Sequence, residues 1–258
     1  MESLNERAEL VIRVNTLKIT RPKLKALLET HDIECLTSGE FPDAMLVERK
    51  GNLFAMQEFK DGLFEVQDAG SQSIAPFLRV EPGMRVIDAC AGAGGKTLHL
   101  AALMQGKGRI VSMDIEDFKL NELKRRARRN GVPNIETRLI EGAKTIKRLA
   151  ESADRLLLDV PCSGLGVIRR NPDAKWKLNP EFIERVQQTQ AEILSTYPTM
   201  LKPGGLMVYA TCSILPVENE NQVEKFLQAN PNFELLEDKH VWPSEGFDGF
   251  YMALIKKN

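Results

Sequence analysis

The stretch D-A-C-A-G-A-G-G-K-T, residues 88–97, decides the fold because it joins a buried strand to a helix. The apolar residues of Arg85–Asp88 predict the strand, and residues 96–104 predict the helix. Glycines in such a turn let the backbone approach a ligand closely and aim the helix N–H groups at it. A strand, a glycine turn and a helix in this order indicate an α/β sheet with ligands at the carboxyl ends of its strands.

Strands and helices continue to alternate after this turn. Further strands are predicted at 109–114, 135–140, 155–159, 205–210, 233–236 and 251–256, with helices between them. The first 65 residues differ, because short strand signals (11–15, 44–47 and 53–56) surround a helix predicted at 23–30. We therefore predict a small α+β domain at 1–65 and a Rossmann-like, doubly wound α/β domain at 66–258.

Three ligand classes compete for the glycine turn. A phosphate-binding P-loop would need a glycine at the position of Cys90, and a dinucleotide turn would place its third glycine at Thr97. An S-adenosylmethionine turn remains, with Asp114 at the end of the next strand to take the ribose hydroxyls and Glu141-Gly142 near the adenine. A tight turn without a ligand is the alternative. The predicted cofactor contacts are Ala89, Cys90, Ala91, Gly92, Ala93, Gly94, Gly95, Lys96, Asp114, Lys119, Glu141, Gly142 and Asp159.

Two thiols follow the ends of later strands, in D-V-P-C-S-G (residues 159–164) and in T-C-S (residues 211–213). Methylation of a pyrimidine C5 needs a nucleophile that adds to C6, and a cysteine thiolate can do this and later leave by elimination. An acid near N3 of the base would stabilise the adduct. A small buried apolar residue is the alternative for each cysteine. The spacing alone leaves open which thiol attacks.

The chain resembles the Sun (Fmu) family of RNA cytosine-C5 methyltransferases. The resemblance rests on R-V-N-T-L-K, Q-D-A-G-S-Q, the glycine turn, D-V-P-C-S-G-L-G, T-C-S and the closing G-F-D-G-F-Y-M-A-L-I-K-K, which occur in the order of the family. It implies a class I S-adenosylmethionine-dependent methyltransferase domain with an RRM-like N-terminal subdomain. It also implies that Cys212 attacks the base, that Cys162 assists release, that Asp159 contacts the N3/N4 edge and that Lys96 lies near cofactor and base. The turn departs from the family by reading G-A-G-G-K where A-P-G-G-K is frequent.

The resemblance implies an RNA substrate, and we expect ribosomal RNA rather than transfer RNA. The target cytosine must be single-stranded or flipped out of a duplex. Arg13, Lys18, Arg169 and Arg170 are the predicted RNA contacts. A transfer RNA methyltransferase and a non-catalytic RNA-binding module remain alternatives, and an NTP-hydrolysing enzyme is disfavoured by Cys90.

Composition excludes several other classes. The net charge of −1 gives no overall basic field. The basic run at 119–129 fits either a patch that contacts phosphates or a solvated helix face, and we keep the solvated interpretation because this helix lies beyond the ribose-binding strand. Four widely spaced cysteines without a C-x-x-C pair, and three histidines, argue against a disulfide scaffold and a metal site. No apolar run approaches the roughly 20 residues of a membrane span. We expect a cytoplasmic monomer without a metal and without a membrane contact.

Overall fold

The computed structural model describes residues 2–48 and 51–258. Residues 1, 49 and 50, which belong to the first predicted domain, lie outside this description. The strands are β1 Val11–Val14, β2 Cys35–Thr37, β3 Ala44–Val47, β4 Phe64–Val66, β5 Arg85–Asp88, β6 Arg109–Asp114, β7 Ile135–Leu139, β8 Ala153–Asp159, β9 Leu201–Thr211, β10 Phe233–Val241 and β11 Phe250–Lys257. The helices are α1 Arg21–Glu29, α2 Gln57–Lys60, α3 Ala69–Phe77, α4 Gly95–Leu103, α5 Asp117–Asn130, α6 Ala143–Lys147, α7 Ala174–Lys177, α8 Pro180–Thr196 and α9 Glu220–Ala229.

A seven-stranded sheet forms the larger part of the molecule, in the order β10-β11-β9-β8-β5-β6-β7. The pairs that join β9, β8, β5, β6 and β7 are parallel, whereas β11 runs antiparallel to both of its neighbours. The chain enters at β5, builds β6 and β7 on one side, and then crosses to β8 on the other side. This reversal opens a crevice at the carboxyl ends of β5 and β8, where ligands of such sheets bind. The predicted doubly wound sheet is confirmed.

Both faces of this sheet are buried. In β8, Leu156 and Leu158 belong to the apolar cluster on one face, and Leu157 belongs to the cluster on the other. Successive side chains of a strand point to opposite faces, so a strand covered on both sides must be apolar at every position. This explains why Leu156-Leu157-Leu158 is a continuous hydrophobic run.

The N-terminal unit is a four-stranded antiparallel sheet in the order β2-β3-β1-β4. Its own apolar core includes Ile12, Leu24 and Phe64. The sequence interpretation missed β2 and β4, which have only three residues each. The strand predicted at 53–56 is wrong, because Leu53–Ala55 forms a 3₁₀ turn.

A buried carboxylate joins the two units. Glu65 on β4 accepts hydrogen bonds from Arg126, at 2.9 Å, and from Arg129 and Asn130, all on α5. Burial alone would raise the pKa of Glu65, but the two guanidinium groups and the amide outweigh it and lower the pKa. The interpretation of the basic run as a wholly solvated face is therefore wrong, since two of its arginines are used at this seam.

In residues 2–48 and 51–258, no helix is both long and apolar enough to cross a bilayer.

Replacement of Glu65 by Gln should destabilise the fold by about 3 kcal/mol, because removing one partner of a buried ion pair leaves the other charges unpaired. The pKa of Glu65 is lowered in the folded state, so its contribution is present above pH 4.5, its ordinary value, and is lost as the pH falls. Urea unfolding at several pH values should show the largest difference from the wild type at neutral pH.

The matched control is Glu122→Gln, which removes an ion pair with Arg125 on the exposed face of α5 and should cost under about 1 kcal/mol. Equal losses of unfolding free energy in the two variants would contradict the role of Glu65 in joining the two units.

Candidate active site

Two glycines of the turn after β5, Gly94 and Gly92, have different surroundings. Gly94 precedes α4 with φ of +88°, and a Cβ on it would lie 2.6 Å from the Leu123 side chain of α5. A glycine is therefore required there for α4 and α5 to pack. Gly92, with φ of +53°, faces open space, since no atom lies within 4 Å of the place of its Cβ. The backbone of the turn is thus accessible at Gly92.

A cleft of about 940 Å³ lies at the carboxyl ends of the central strands. Five of the predicted cofactor contacts line it, namely Ala89, Cys90, Asp114, Lys119 and Gly142. The other predicted contacts are not part of its wall: Ala91, Gly92, Ala93, Gly94, Gly95, Lys96, Glu141 and Asp159. The sequence interpretation missed the opposite wall, which comes from α8 and the turn after it and includes Ile193 and Tyr197.

Asp114, at the end of β6, is one of three acidic residues that line this cleft, together with Glu116 and Glu192. Its carboxylate accepts hydrogen bonds from the backbone N–H of Gly92, at 2.9 Å, and of Glu116, at 3.0 Å. These bonds tie the carboxylate to the glycine turn and fix its orientation. Ile115 and Ile140 supply apolar surface beside it. The cleft therefore combines an oriented acceptor with walls that suit a flat ring.

An ion pair lies at the ends of β5 and β8. The ammonium of Lys96, the second residue of α4, donates to Asp159 Oδ2 over 2.6 Å. Burial alone would lower the pKa of Lys96, but the Asp159 carboxylate, with smaller contributions from Cys212 and Asp88, raises it. Lys96 is therefore a fixed positive charge that acts on both Asp159 and Cys212.

Asp88 lies beneath this pair and was not singled out from the sequence as a separate group. It is buried, and the hydroxyl of Thr97 donates to its Oδ2 over 2.6 Å. Burial raises the pKa of Asp88 to about 7, against the opposing effect of the Thr97 hydrogen bond. A carboxyl group that is partly protonated near neutral pH competes little with Asp159 for the Lys96 charge.

The two candidate thiols meet because of the strand register. In the parallel pair of β8 and β9, Asp159 lies opposite Ala210. Cys162 and Cys212 follow these residues by three and two positions, and their sulfur atoms are 3.1 Å apart. The backbone N–H of Cys212 also points at Cys162 Sγ, at 3.2 Å.

The surroundings of the thiols differ. The hydrogen bond with Cys212, together with burial, raises the pKa of Cys162 well above its ordinary value. Cys162 therefore keeps its proton at neutral pH, whereas Cys212 is the thiol on which the Lys96 charge acts. Burial also raises the pKa of Cys90 well above the ordinary value and that of Cys35 to about 11, so neither is suited to act as a nucleophile.

Two of the predicted RNA contacts are corrected by the structure. Arg13 is only 2% exposed and donates to the backbone carbonyl of Gly95 over 2.6 Å, so it supports the glycine turn from within. The Arg169 side chain is also 2% exposed and pairs with Asp248 at 3.1 Å. A guanidinium without solvent access cannot reach RNA. Sequence reasoning failed here because Gly95 and Asp248 lie far along the chain from their arginines.

The other two predicted RNA contacts already have internal partners. Arg170 bonds Asp68 at 2.9 Å and also pairs with Asp248. Lys18 is exposed, yet its ammonium donates to the backbone carbonyls of Asp61 and Arg129, at 2.6 and 2.7 Å. Contact of Arg170 or Lys18 with RNA stays a prediction.

Among the described residues, His, Cys, Asp and Glu form no group of three or more that could hold a metal ion.

Comparison with known proteins identifies the family. Residues 75–256 match the family described as 16S rRNA methyltransferase RsmB/F, and residues 1–53 match its ferredoxin-like domain. Ribosomal RNA small subunit methyltransferase B of Salmonella paratyphi A is 37% identical over 267 residues, which cover 100% of this chain and 62% of that protein.

Two crystal structures from Pyrococcus horikoshii share the fold over almost the whole chain. A methyltransferase homologue is 28% identical, with a TM-score of 0.88, and the match covers 100% of this chain and 89% of that one. NSun6 with SFG is 22% identical, with a TM-score of 0.90, and the match covers 99% and 92% of the two chains. The resemblance to the Sun (Fmu) family is thereby confirmed, and the chain belongs to the 16S rRNA methyltransferase RsmB/F family.

Proposed function

We propose that this chain methylates C5 of a cytosine in small-subunit ribosomal RNA, with S-adenosylmethionine as the methyl donor. The observation that carries the proposal is the pair of sulfur atoms 3.1 Å apart, beside the Lys96–Asp159 ion pair and next to the cleft. Pro161, the neighbour of Cys162, lines that cleft. The family description and the curated relative support ribosomal RNA over transfer RNA. The chain spans 62% of the length of that relative, so the assignment of its activity to this chain is our inference.

The residues of the cleft fit S-adenosylmethionine. Asp114 offers a fixed carboxylate acceptor for ribose hydroxyls, and Ile115 and Ile140 offer an apolar surface for the adenine. Ala89 and Cys90, at the start of the turn, line the same cleft. SFG, the ligand of the NSun6 structure, is an analogue of this cofactor, which supports the assignment. When bound, the cofactor supplies the methyl group that the cytosine C5 receives.

The chain's own groups take the remaining roles. Cys212, as the thiolate, forms a C–S bond at C6 of a flipped cytosine and thereby makes C5 nucleophilic. Asp159, held by Lys96, accepts a hydrogen bond at the N3/N4 edge of the base. After methylation, a water molecule takes the C5 proton, the electron pair of that C–H bond forms the C5–C6 double bond, and the C6–S bond breaks to return Cys212 as a thiolate. Cys162, which keeps its proton and touches Cys212, assists this release.

RNA contacts other than the buried arginines come from the segment after β8. Trp176 on α7 is 81% exposed, and the Lys175 ammonium lies 5.4 Å from its ring centroid. The start of this segment is fixed by Arg169 and Arg170, which form ion pairs with the buried Asp248. An exposed ring beside a positive charge is suited to stack an unpaired base next to a phosphate. We therefore assign Trp176 as a stacking residue for the RNA strand.

The proposal also includes the two-domain division at residues 65 and 66, which falls within β4, the edge strand of the N-terminal sheet. It keeps the expectation of a monomer in the cytoplasm, where reducing conditions preserve adjacent free thiols.

S-adenosylmethionine should raise the melting temperature of the protein, because a ligand that binds only the folded state stabilises it. ATP should leave the melting temperature unchanged. Asp114→Ala should abolish the shift, and Glu122→Ala, on the exposed face of α5, should retain it. A shift with ATP alone would contradict the cofactor assignment.

With a labelled methyl donor, small-subunit ribosomal RNA should gain 5-methylcytosine, and labelling of transfer RNA instead would contradict the substrate assignment.

Trp176→Ala should raise KM for RNA by roughly tenfold or more, since loss of one base stack costs about 1–3 kcal/mol. The kcat value and the thermal shift with S-adenosylmethionine should stay near those of the wild type. The control is Phe54→Ala, an exposed aromatic residue of the N-terminal unit. Equal KM values for wild type and Trp176→Ala in the methylation assay would contradict the assignment of Trp176 as a stacking residue for RNA.

A further inference from the structure

A completely buried carboxylate lies behind the two thiols. Glu218, in the turn before α9, is 0% exposed. It accepts hydrogen bonds from the backbone N–H of Ser163 at 2.8 Å, from the Ser163 hydroxyl at 2.5 Å, from the Ser213 hydroxyl, and from the Gln190 amide at 3.1 Å. Four donors therefore converge on one side chain. A buried carboxylate with so complete a set of partners is fixed in position.

The partners of Glu218 are the chain neighbours of the thiols. Ser163 follows Cys162 and Ser213 follows Cys212, and the two serine hydroxyls are also 3.1 Å from each other. Glu218 consequently bridges the two segments that carry the sulfur atoms. The next residue, Asn219, adds ties to the same strand end through Ser213 O at 3.1 Å and Thr211 Oγ1 at 2.5 Å.

The charges around the thiol pair are of opposite sign on its two sides. The Lys96 ammonium acts on Cys212. The pKa of Cys162 is raised mainly by its hydrogen bond with Cys212 and by burial, and the Glu218 carboxylate adds a smaller contribution in the same direction. The other titratable groups that face Cys162 are Cys212 itself and the Tyr209 phenol of β9. A negative charge near a thiol disfavours its thiolate, and a positive charge favours it. These opposite charges therefore distinguish Cys162 from Cys212 in how readily each thiol loses its proton to a base.

We propose that Glu218 is a positioning residue whose carboxylate clamps the Cys162 and Cys212 segments together and places a negative charge beside Cys162, which leaves Cys212 as the attacking thiol. The inference rests on the proposed function for the meaning of attack and release. The clamp and the protonation of Cys162 are properties of the protein alone, so they can be measured without RNA or cofactor.

The test is alkylation of the full chain by iodoacetamide between pH 6 and 9, with each cysteine quantified by peptide mass spectrometry. Cys212 should react faster than Cys162 in the wild type. Glu218→Gln removes the charge with little change in shape, and Cys162 should then react faster near neutral pH, because the negative charge beside it disfavours its thiolate. The control Glu220→Gln, which removes a partner of His240 instead, should leave both rates unchanged.

A Cys162 rate that is the same in Glu218→Gln and wild type, in variants with unaltered unfolding curves, would overturn the charge role. Ser213→Ala keeps the Glu218 charge but removes the hydrogen bond from the Ser213 hydroxyl to Glu218. This variant tests the clamp if Glu218→Gln does not fold. Oxidation by diamide converts the two thiols to a disulfide only when they approach each other. This cross-linking should be severalfold slower in Ser213→Ala than in the control Ser195→Ala, whose hydroxyl bonds within α8. Equal rates would overturn the clamp.

Failure of the proposed function has a different signature. If Glu218 acts as proposed but the wild type transfers no methyl group to RNA, the alkylation pattern will hold while methylation is absent. If the alkylation pattern and the methylation activity are both observed, Glu218→Gln should lower kcat and leave KM for RNA near the wild-type value, because the Glu218 side chain is buried and does not face the RNA.

Discussion

The approach of two sulfur atoms to 3.1 Å at the ends of neighbouring parallel strands is the constraint on which the site depends. Two thiolates at this distance would repel each other, so the surroundings must separate their protonation. The Lys96 ammonium acts on Cys212, and the hydrogen bond with Cys212, burial and, to a smaller extent, the Glu218 carboxylate raise the pKa of Cys162. The fold supplies both, because α4 begins at the end of β5 and the turn before α9 returns to the end of β9.

The N-terminal unit is part of this support. Arg13 of β1 crosses to the carbonyl of Gly95, in the turn that starts α4 and therefore sets the position of Lys96. Glu65 of β4 holds α5, against which Gly94 packs. The small sheet thus braces the glycine turn from behind. Arg13 is therefore structural, although the sequence alone suggested that it contacts RNA.

Much of this architecture follows from the sequence. The alternation of strands and helices predicts the sheet, and the helix expected between the strands predicted at 109–114 and 135–140 is found at Asp117–Asn130. The register of β8 with β9 makes the meeting of Cys162 and Cys212 possible, but the sequence does not give their distance. The errors concern long-range contacts. The partners of Arg13 and Arg169, and the carboxylate of Glu218 between two serines, depend on which distant segments fold together, and no local pattern reports that.

Trapping of the covalent RNA complex tests the central claim, that Cys212 attacks the base and Cys162 assists its release. Wild type, Cys162→Ala and Cys212→Ala are incubated with S-adenosylmethionine and ribosomal RNA and separated on denaturing protein gels. We expect a slowly migrating adduct for Cys162→Ala, none for Cys212→Ala, and turnover by the wild type alone. An adduct that forms in Cys212→Ala and is absent from Cys162→Ala would reverse the two roles and contradict the account.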